Sequence, residues 1–108
     1  MGRAEVAGIL AAAGMPVVYW KWPEGSKPSF PCIRYSAGGG ADLMADNGNY
    51  AKRGRWSAIL VSEWKDDAAE AALESALESA GVPYSKSADW YSDEARLNHV
   101  EYTFTLPR

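Results

Sequence analysis

DDAAEAALESALESAGVP, residues Asp66 to Pro83, decides how this chain folds. Ala69, Ala72, Leu73, Ala76, Leu77 and Ala80 recur at the spacing of one helical face. Asp66 or Asp67 supplies the cap, and Asp67 precedes Glu70 by the three residues of a capping box. Gly81 stops the helix and Pro83 prevents its resumption. Glu70, Glu74 and Glu78 follow one another at i, i+4, where like charges repel, so they read as an exposed acidic face. The alanine and leucine stripe needs a second layer to bury it, and the flanking sequence supplies strands.

Downstream, Tyr84 to Trp90 and Asn98 to Leu106 read as strands joined by a turn from Ser92 to Arg96. The last strand alternates cleanly, with Val100, Tyr102, Phe104 and Leu106 inward and His99, Glu101, Thr103 and Thr105 outward. Upstream, Tyr50 to Trp64 is the longest strand candidate. It places Trp56, Ala58, Leu60 and Ser62 on one face and Ser57, Ile59 and Val61 on the other, which predicts a central strand largely covered on both sides. Ala37 to Asn49, with Gly38-Gly39-Gly40 and then Asp46-Asn47-Gly48, reads as a long mobile connection. Phe30 to Ser36 is a strand with Pro31 at its beginning. Val17 to Trp22 is another, with Val18, Trp20 and Trp22 sharing a face, and Pro23 to Pro28 is a loop. A first helix spans Arg3 to Ala13, with Val6, Ile9, Leu10 and Ala13 on one face and Gly14 and Pro16 as its stop. The two helix ends echo each other, Leu10-Ala-Ala-Ala-Gly-Met-Pro against Leu77-Glu-Ser-Ala-Gly-Val-Pro, which reads as a shared stopping device. The order α-β-β-β-α-β-β over a single domain, residues 1–108, predicts an α+β fold. Its mainly antiparallel sheet has about five strands and two helices on one face.

Composition narrows the function. The 108 residues include 5 Trp and 6 Tyr but only 2 Phe, with 1 Cys and 1 His. A lone Cys32 excludes an intrachain disulfide, and one Cys with one His cannot make a four-ligand structural zinc site. The net charge of −3, from 11 Lys and Arg against 14 Asp and Glu, disfavours nucleic acid as the main partner. No apolar run approaches the ~20 residues of a membrane span, so no membrane partner is expected. MGRAEVAGILAAAG at the start is interrupted by Glu5 and ends in Gly-Met-Pro, so it reads as a helix of the mature fold, made in the cytoplasm.

Catalytic and cofactor motifs fare poorly. Cys32 and His99 are the one conceivable nucleophile and base, but Cys32 lies in an apolar strand and His99 on a polar strand face. The triple glycine has no Lys-Ser/Thr behind it and opens no helix, so it is neither a P-loop nor a dinucleotide fingerprint. Asp42, Asp46 and Asn47 do not have the spacing of a calcium loop. No catalytic residue, metal or cofactor is expected, and the chain does not read as an enzyme. Opposite charge is more informative. Lys52, Arg53 and Arg55 form the one basic cluster, and Asp66, Asp67, Glu70, Glu74 and Glu78 the acidic one. Such patches on one domain suit head-to-tail contact between identical subunits, which generates a ring if the rotation closes.

The chain resembles the small tail-terminator, or tail-completion, proteins of long-tailed bacteriophages. The likeness is carried by the short first helix followed by Pro16 and an aromatic strand, then Trp22-Pro23-Glu24-Gly25, Ile33-Arg34-Tyr35-Ser36 and Ala45-Asp46-Asn47-Gly48-Asn49-Tyr50. It continues in Trp64-Lys65-Asp66-Asp67 with the helix Glu70-Ala-Ala-Leu-Glu-Ser-Ala-Leu, and in Glu101-Tyr102-Thr103-Phe104. The resemblance implies a structural subunit of the virion tail or neck that assembles as a ring, usually a hexamer. The ring caps the tail tube, ends tube polymerisation and joins the tail to the head-side connector, with DNA only passing through its lumen. On this reading the loop orders on contact, with Asp42, Asp46, Asn47 and Tyr50 at a partner surface. Lys52, Arg53 and Arg55 meet Glu70, Glu74 or Glu78 of a neighbour, or line the lumen. The alternatives are another head-tail joining component, such as an adaptor or head-closure protein, and a small ligand-binding regulatory domain.

Overall fold

The computed structural model describes residues 3–20, 29–40, 43–45, 48–51 and 53–107. In chain order the elements are α1 (Arg3–Ala11), β1 (Val17–Tyr19), β2 (Cys32–Gly40), β3 (Leu43–Ala45), β4 (Gly48–Ala51), β5 (Arg53–Ser62), α2 (Asp67–Ser79), β6 (Tyr84–Ser92) and β7 (Leu97–Pro107). Five strands make one sheet in the order β1-β2-β5-β7-β6. Its pairings are antiparallel except β1 with β2. The predicted α+β fold, with two helices against a mainly antiparallel five-stranded sheet in the order α-β-β-β-α-β-β, is the observed one, and its first strand is short.

Alternation explains the layering. Trp56, Ala58 and Leu60 of β5 lie on the same face as Ile33 and Tyr35 of β2 and Val100, Tyr102, Phe104 and Leu106 of β7. Val6 and Leu10 of α1 and Ala69, Leu73 and Leu77 of α2 close over them. Leu10, Ile33, Leu60, Leu73 and Leu77 are fully buried, each stabilising the fold by about 1.5–3 kcal/mol relative to exposure. The inward and outward sets predicted for β7 are those observed.

Both helix ends turn on a glycine at positive φ, Gly14 at 81° and Gly81 at 72°. After α2 the Val82 N–H reaches the Leu77 carbonyl at 2.9 Å and the Gly81 N–H reaches that of Glu78 at 3.0 Å. These bonds satisfy two carbonyls that the helix leaves open. At the other end Asp66, not Asp67, is the cap, its carboxylate accepting the Ala69 N–H at 3.0 Å. The capping-box position therefore falls on Ala69, and Glu70 is released for another task.

Four expectations need correction. The stretch from Ala37 to Asn49 is not one long loop where it is described. Strand β2 continues through Gly38–Gly40, with a register shift between Ala37 and Gly40, and β3 and β4 then pair as a separate two-stranded sheet. The strand expected from Tyr50 to Trp64 is divided, with Tyr50 in β4 and β5 running only from Arg53 to Ser62. Strand β1 stops at Tyr19, because Trp20 takes φ +71°, outside the extended region, and Trp22 lies outside the described residues. It is Val17 and Tyr19, not Val18, that pack on the core. Finally, the helices cover β5 on one face alone. On its other face Ser57 and Ile59 stay half-exposed, while Val61 is buried at the strand end. Among the described residues no helix is long and apolar enough to cross a membrane.

Candidate functional site

The acidic helix face is mostly an internal device. Glu70 is 5% exposed, so the reading of Glu70, Glu74 and Glu78 as an exposed ladder is corrected. Its two carboxylate oxygens lie 2.8 Å from Lys65 Nζ and 2.8 Å from Lys86 Nζ. Lys86 also stands 3.2 Å from Glu74 Oε2, and Lys65 pairs with Asp89. Glu74 accepts hydrogen bonds from the Tyr102 hydroxyl at 2.7 Å and from that of Tyr84 at 3.5 Å. The Tyr102 hydroxyl, with help from Lys86, holds the Glu74 carboxyl below its ordinary value. Hydrogen bonds to Asp89 and Glu70 raise Lys65, and a hydrogen bond to Glu70 raises Lys86. Burial, reinforced by Glu74, pushes the Tyr102 hydroxyl up. This network clamps α2 to the edge strand β6.

A β-bulge makes the clamp possible. Lys86 stands opposite Tyr102 on the helix side, whereas Ala88 stands opposite Glu101 and Trp90 opposite His99 on the other. Ser87 is the extra residue. Its hydroxyl donates to Glu101 Oε1 at 3.1 Å, while Ser57 donates to Glu101 Oε2 at 2.8 Å. The shift in phase turns Lys86 toward the helix and Trp90 toward the helix-free face.

That opposite face of the sheet carries no helix among the described residues. Arg34 and Ser36 of β2, Ser57 and Ile59 of β5, and His99, Glu101 and Thr103 of β7 lie across it. Trp90 stacks on His99 with ring centroids 4.9 Å apart and planes at 8°. Burial lowers the His99 pKa from 6.5, and the positive charge of Arg34 adds to the effect. At the other side Trp20, 64% exposed, lines one shallow cavity with Arg34, Ser36 and Ile59. At the end of the sheet Trp64 is 77% exposed and shares a second depression with Phe30, Tyr91 and Arg96. Cys32 and His99 stand on this same side with Val61 between them. Two strand spacings separate them, about 9–10 Å, beyond the contact a nucleophile and its base require.

The other predicted interface residues scatter. Arg55 and Glu78 are exposed. Tyr50 and Arg53 lie in β4 and β5, Arg53 opposite Pro107. Asp42, Asp46, Asn47 and Lys52 lie outside the described residues. Glu70 and Glu74 are engaged within the subunit, whereas Glu78 makes no ion pair among the described residues. Tyr19 packs on Tyr35 at 5.3 Å under the Arg3 guanidinium, 4.4 Å from the ring centre. Sequence reasoning missed Arg34 as a surface residue. Its alternation with Ile33 and Tyr35 was the available signal. No family model matches the chain, and no curated protein matches it.

Proposed function

We propose that the chain is a ring-forming assembly subunit of the phage tail-terminator kind, which caps the tail tube and joins it to the head-side connector. The observation that carries the reading is the half-covered sheet. Two helices shield one face, while the opposite face and the sheet end present Trp20, Trp64, Trp90 and Tyr91 to solvent. Tryptophan and tyrosine bury large areas while keeping a polar handle, and they are enriched where subunits meet. An isolated solvated domain gains nothing from exposing them, and an assembled ring removes them from water.

The hairpin β3–β4 supports the same reading. Among the described residues its strands pair only with each other, and a lone two-stranded ribbon is marginally stable in water. A neighbouring surface stabilises it. On the acidic side the charge pairing narrows to Glu78, since Glu70 and Glu74 are held internally, and Lys52, Arg53 and Arg55 stay its basic partners.

Native mass spectrometry tests this reading directly. The chain alone and the chain mixed with the tail tube protein of the same phage are compared. A closed homo-oligomer in either sample supports the assignment. A monomer in both, without association with the tube protein, overturns it.

A further inference from the structure

Arg34 is a half-buried cation near the start of β2, on the face that no described helix covers, and among the described residues no carboxylate pairs with it. Trp20, Ser36 and Ile59 form the walls around it. Trp20 is tied down by its own N–H, which donates to the Tyr35 carbonyl at 2.7 Å, and it keeps φ +71°. A bulky residue in that region costs about 1 kcal/mol or more. The result is a notch in which an indole lies beside a planar fork of donors, the arrangement that accepts a carboxylate in bidentate fashion.

The opposite edge of the sheet carries the complement. The turn between β6 and β7 is closed by the Arg96 N–H on the Ser92 carbonyl at 2.7 Å. It presents Asp93 and Glu94, both exposed and neither in an ion pair among the described residues. Arg34 cannot reach this turn within its own subunit, because β5 and β7 lie between β2 and β6.

We infer that the Trp20–Arg34 notch receives the Asp93–Glu94 turn of a second copy of this chain. The inference rests on the ring reading above and specifies its contact. Notch and turn lie toward opposite edges of one sheet, so the contact is heterologous. Each subunit offers one of each, and repetition about an axis closes the ring. Charge complementarity of this kind fixes register and partner.

The test is sedimentation velocity of the full chain over a wide concentration range, with circular dichroism to verify folding. Wild type is compared with Arg34→Glu, with the pair Asp93→Lys and Glu94→Lys, and with all three changes together. Each charge reversal alone should raise the concentration needed for assembly by about tenfold or more, and the triple variant should recover most of that loss. Arg34→Gln serves in place of Arg34→Glu if the latter unfolds. If wild type forms rings and every variant forms them equally well, the notch contact is wrong and the ring reading stands. If wild type stays monomeric throughout, both fail. If Arg34→Glu loses binding to tube protein but assembles normally, the occupant of the notch is the tube and the inference is overturned.

Discussion

Tyr102→Phe removes a single oxygen from the clamp between α2 and the sheet. The ring itself is completely buried and packs edge-on against Tyr84 at 5.7 Å, so phenylalanine keeps that packing. What is lost is the 2.7 Å hydrogen bond to Glu74 Oε2. A hydrogen bond to a charged group contributes about 1.5–3 kcal/mol. The Glu74 side chain is 27% exposed and keeps Lys86 at 3.2 Å. Water and the lysine therefore compensate in part, and the loss falls near the lower end, about 1.5 kcal/mol. At ~4–8 °C per kcal/mol for a domain of this size, the melting temperature falls by roughly 6–12 °C. The effect depends on pH in one direction. Glu74 is held below 4.5, first by the Tyr102 hydroxyl. A depressed carboxyl contributes all its stability above the unfolded value and loses it as pH falls through the folded value. The gap between wild type and Tyr102→Phe should be full at about pH 7 and shrink at about pH 3. Urea unfolding at the two pH values reads both quantities. A loss below about 0.5 kcal/mol, or an equal loss at both pH values, refutes the charge-assisted bond as the holding contact.

Substitutions at three further positions have defined outcomes. Asp66→Ala removes the cap on Ala69 N–H and should lower urea stability by about 1 kcal/mol. Gly81→Ala adds a methyl group that meets no atom within 4 Å at φ +72°; its loss of about 1 kcal/mol comes from backbone conformation alone, and Gly81→Asn should lose less. Trp64→Ser, at a residue 77% exposed, should leave the urea stability of the free subunit within about 0.5 kcal/mol of wild type. A large loss there would place Trp64 in the core instead.

What the sequence discloses depends on whether the deciding contact is local. The α2 stripe and the β7 alternation follow from helical and strand periods; β7 alternates as predicted, and Ala69, Leu73, Ala76 and Leu77 of the stripe are buried, while Ala72 is half-buried and Ala80, the cap, is exposed. The two glycine stops follow from a conformation that other residues resist. Gly38–Gly40 defeats local reasoning, because glycine disfavours strands, yet Gly40 is paired across the sheet with Gly54. Leu43-Met44-Ala45 contains no β-branched residue and is too short to show a period, so β3 was hidden in an apparent loop. The glutamate ladder misleads for a related reason. Its spacing does place three carboxylates on one side of α2, but the lysines that engage it come from outside the helix, at Lys65 and Lys86. Lys86 reaches the helix side from β6 just before the bulge at Ser87, and a bulge leaves no mark in residue type. The same phase shift turns Trp90 outward onto His99. The tryptophan and tyrosine surplus over phenylalanine divides accordingly. Trp56, Tyr35 and Tyr102 fill the core, while Trp20, Trp64, Trp90 and Tyr91 face solvent.

The most direct test of the central claim is the length of tail tubes polymerised with and without this chain. On the proposed reading, tail tube protein is assembled in both conditions and imaged by negative-stain electron microscopy. A terminator gives short tubes of narrow length distribution, each bearing a ring at one end. Tubes of unchanged length with bare ends contradict the account.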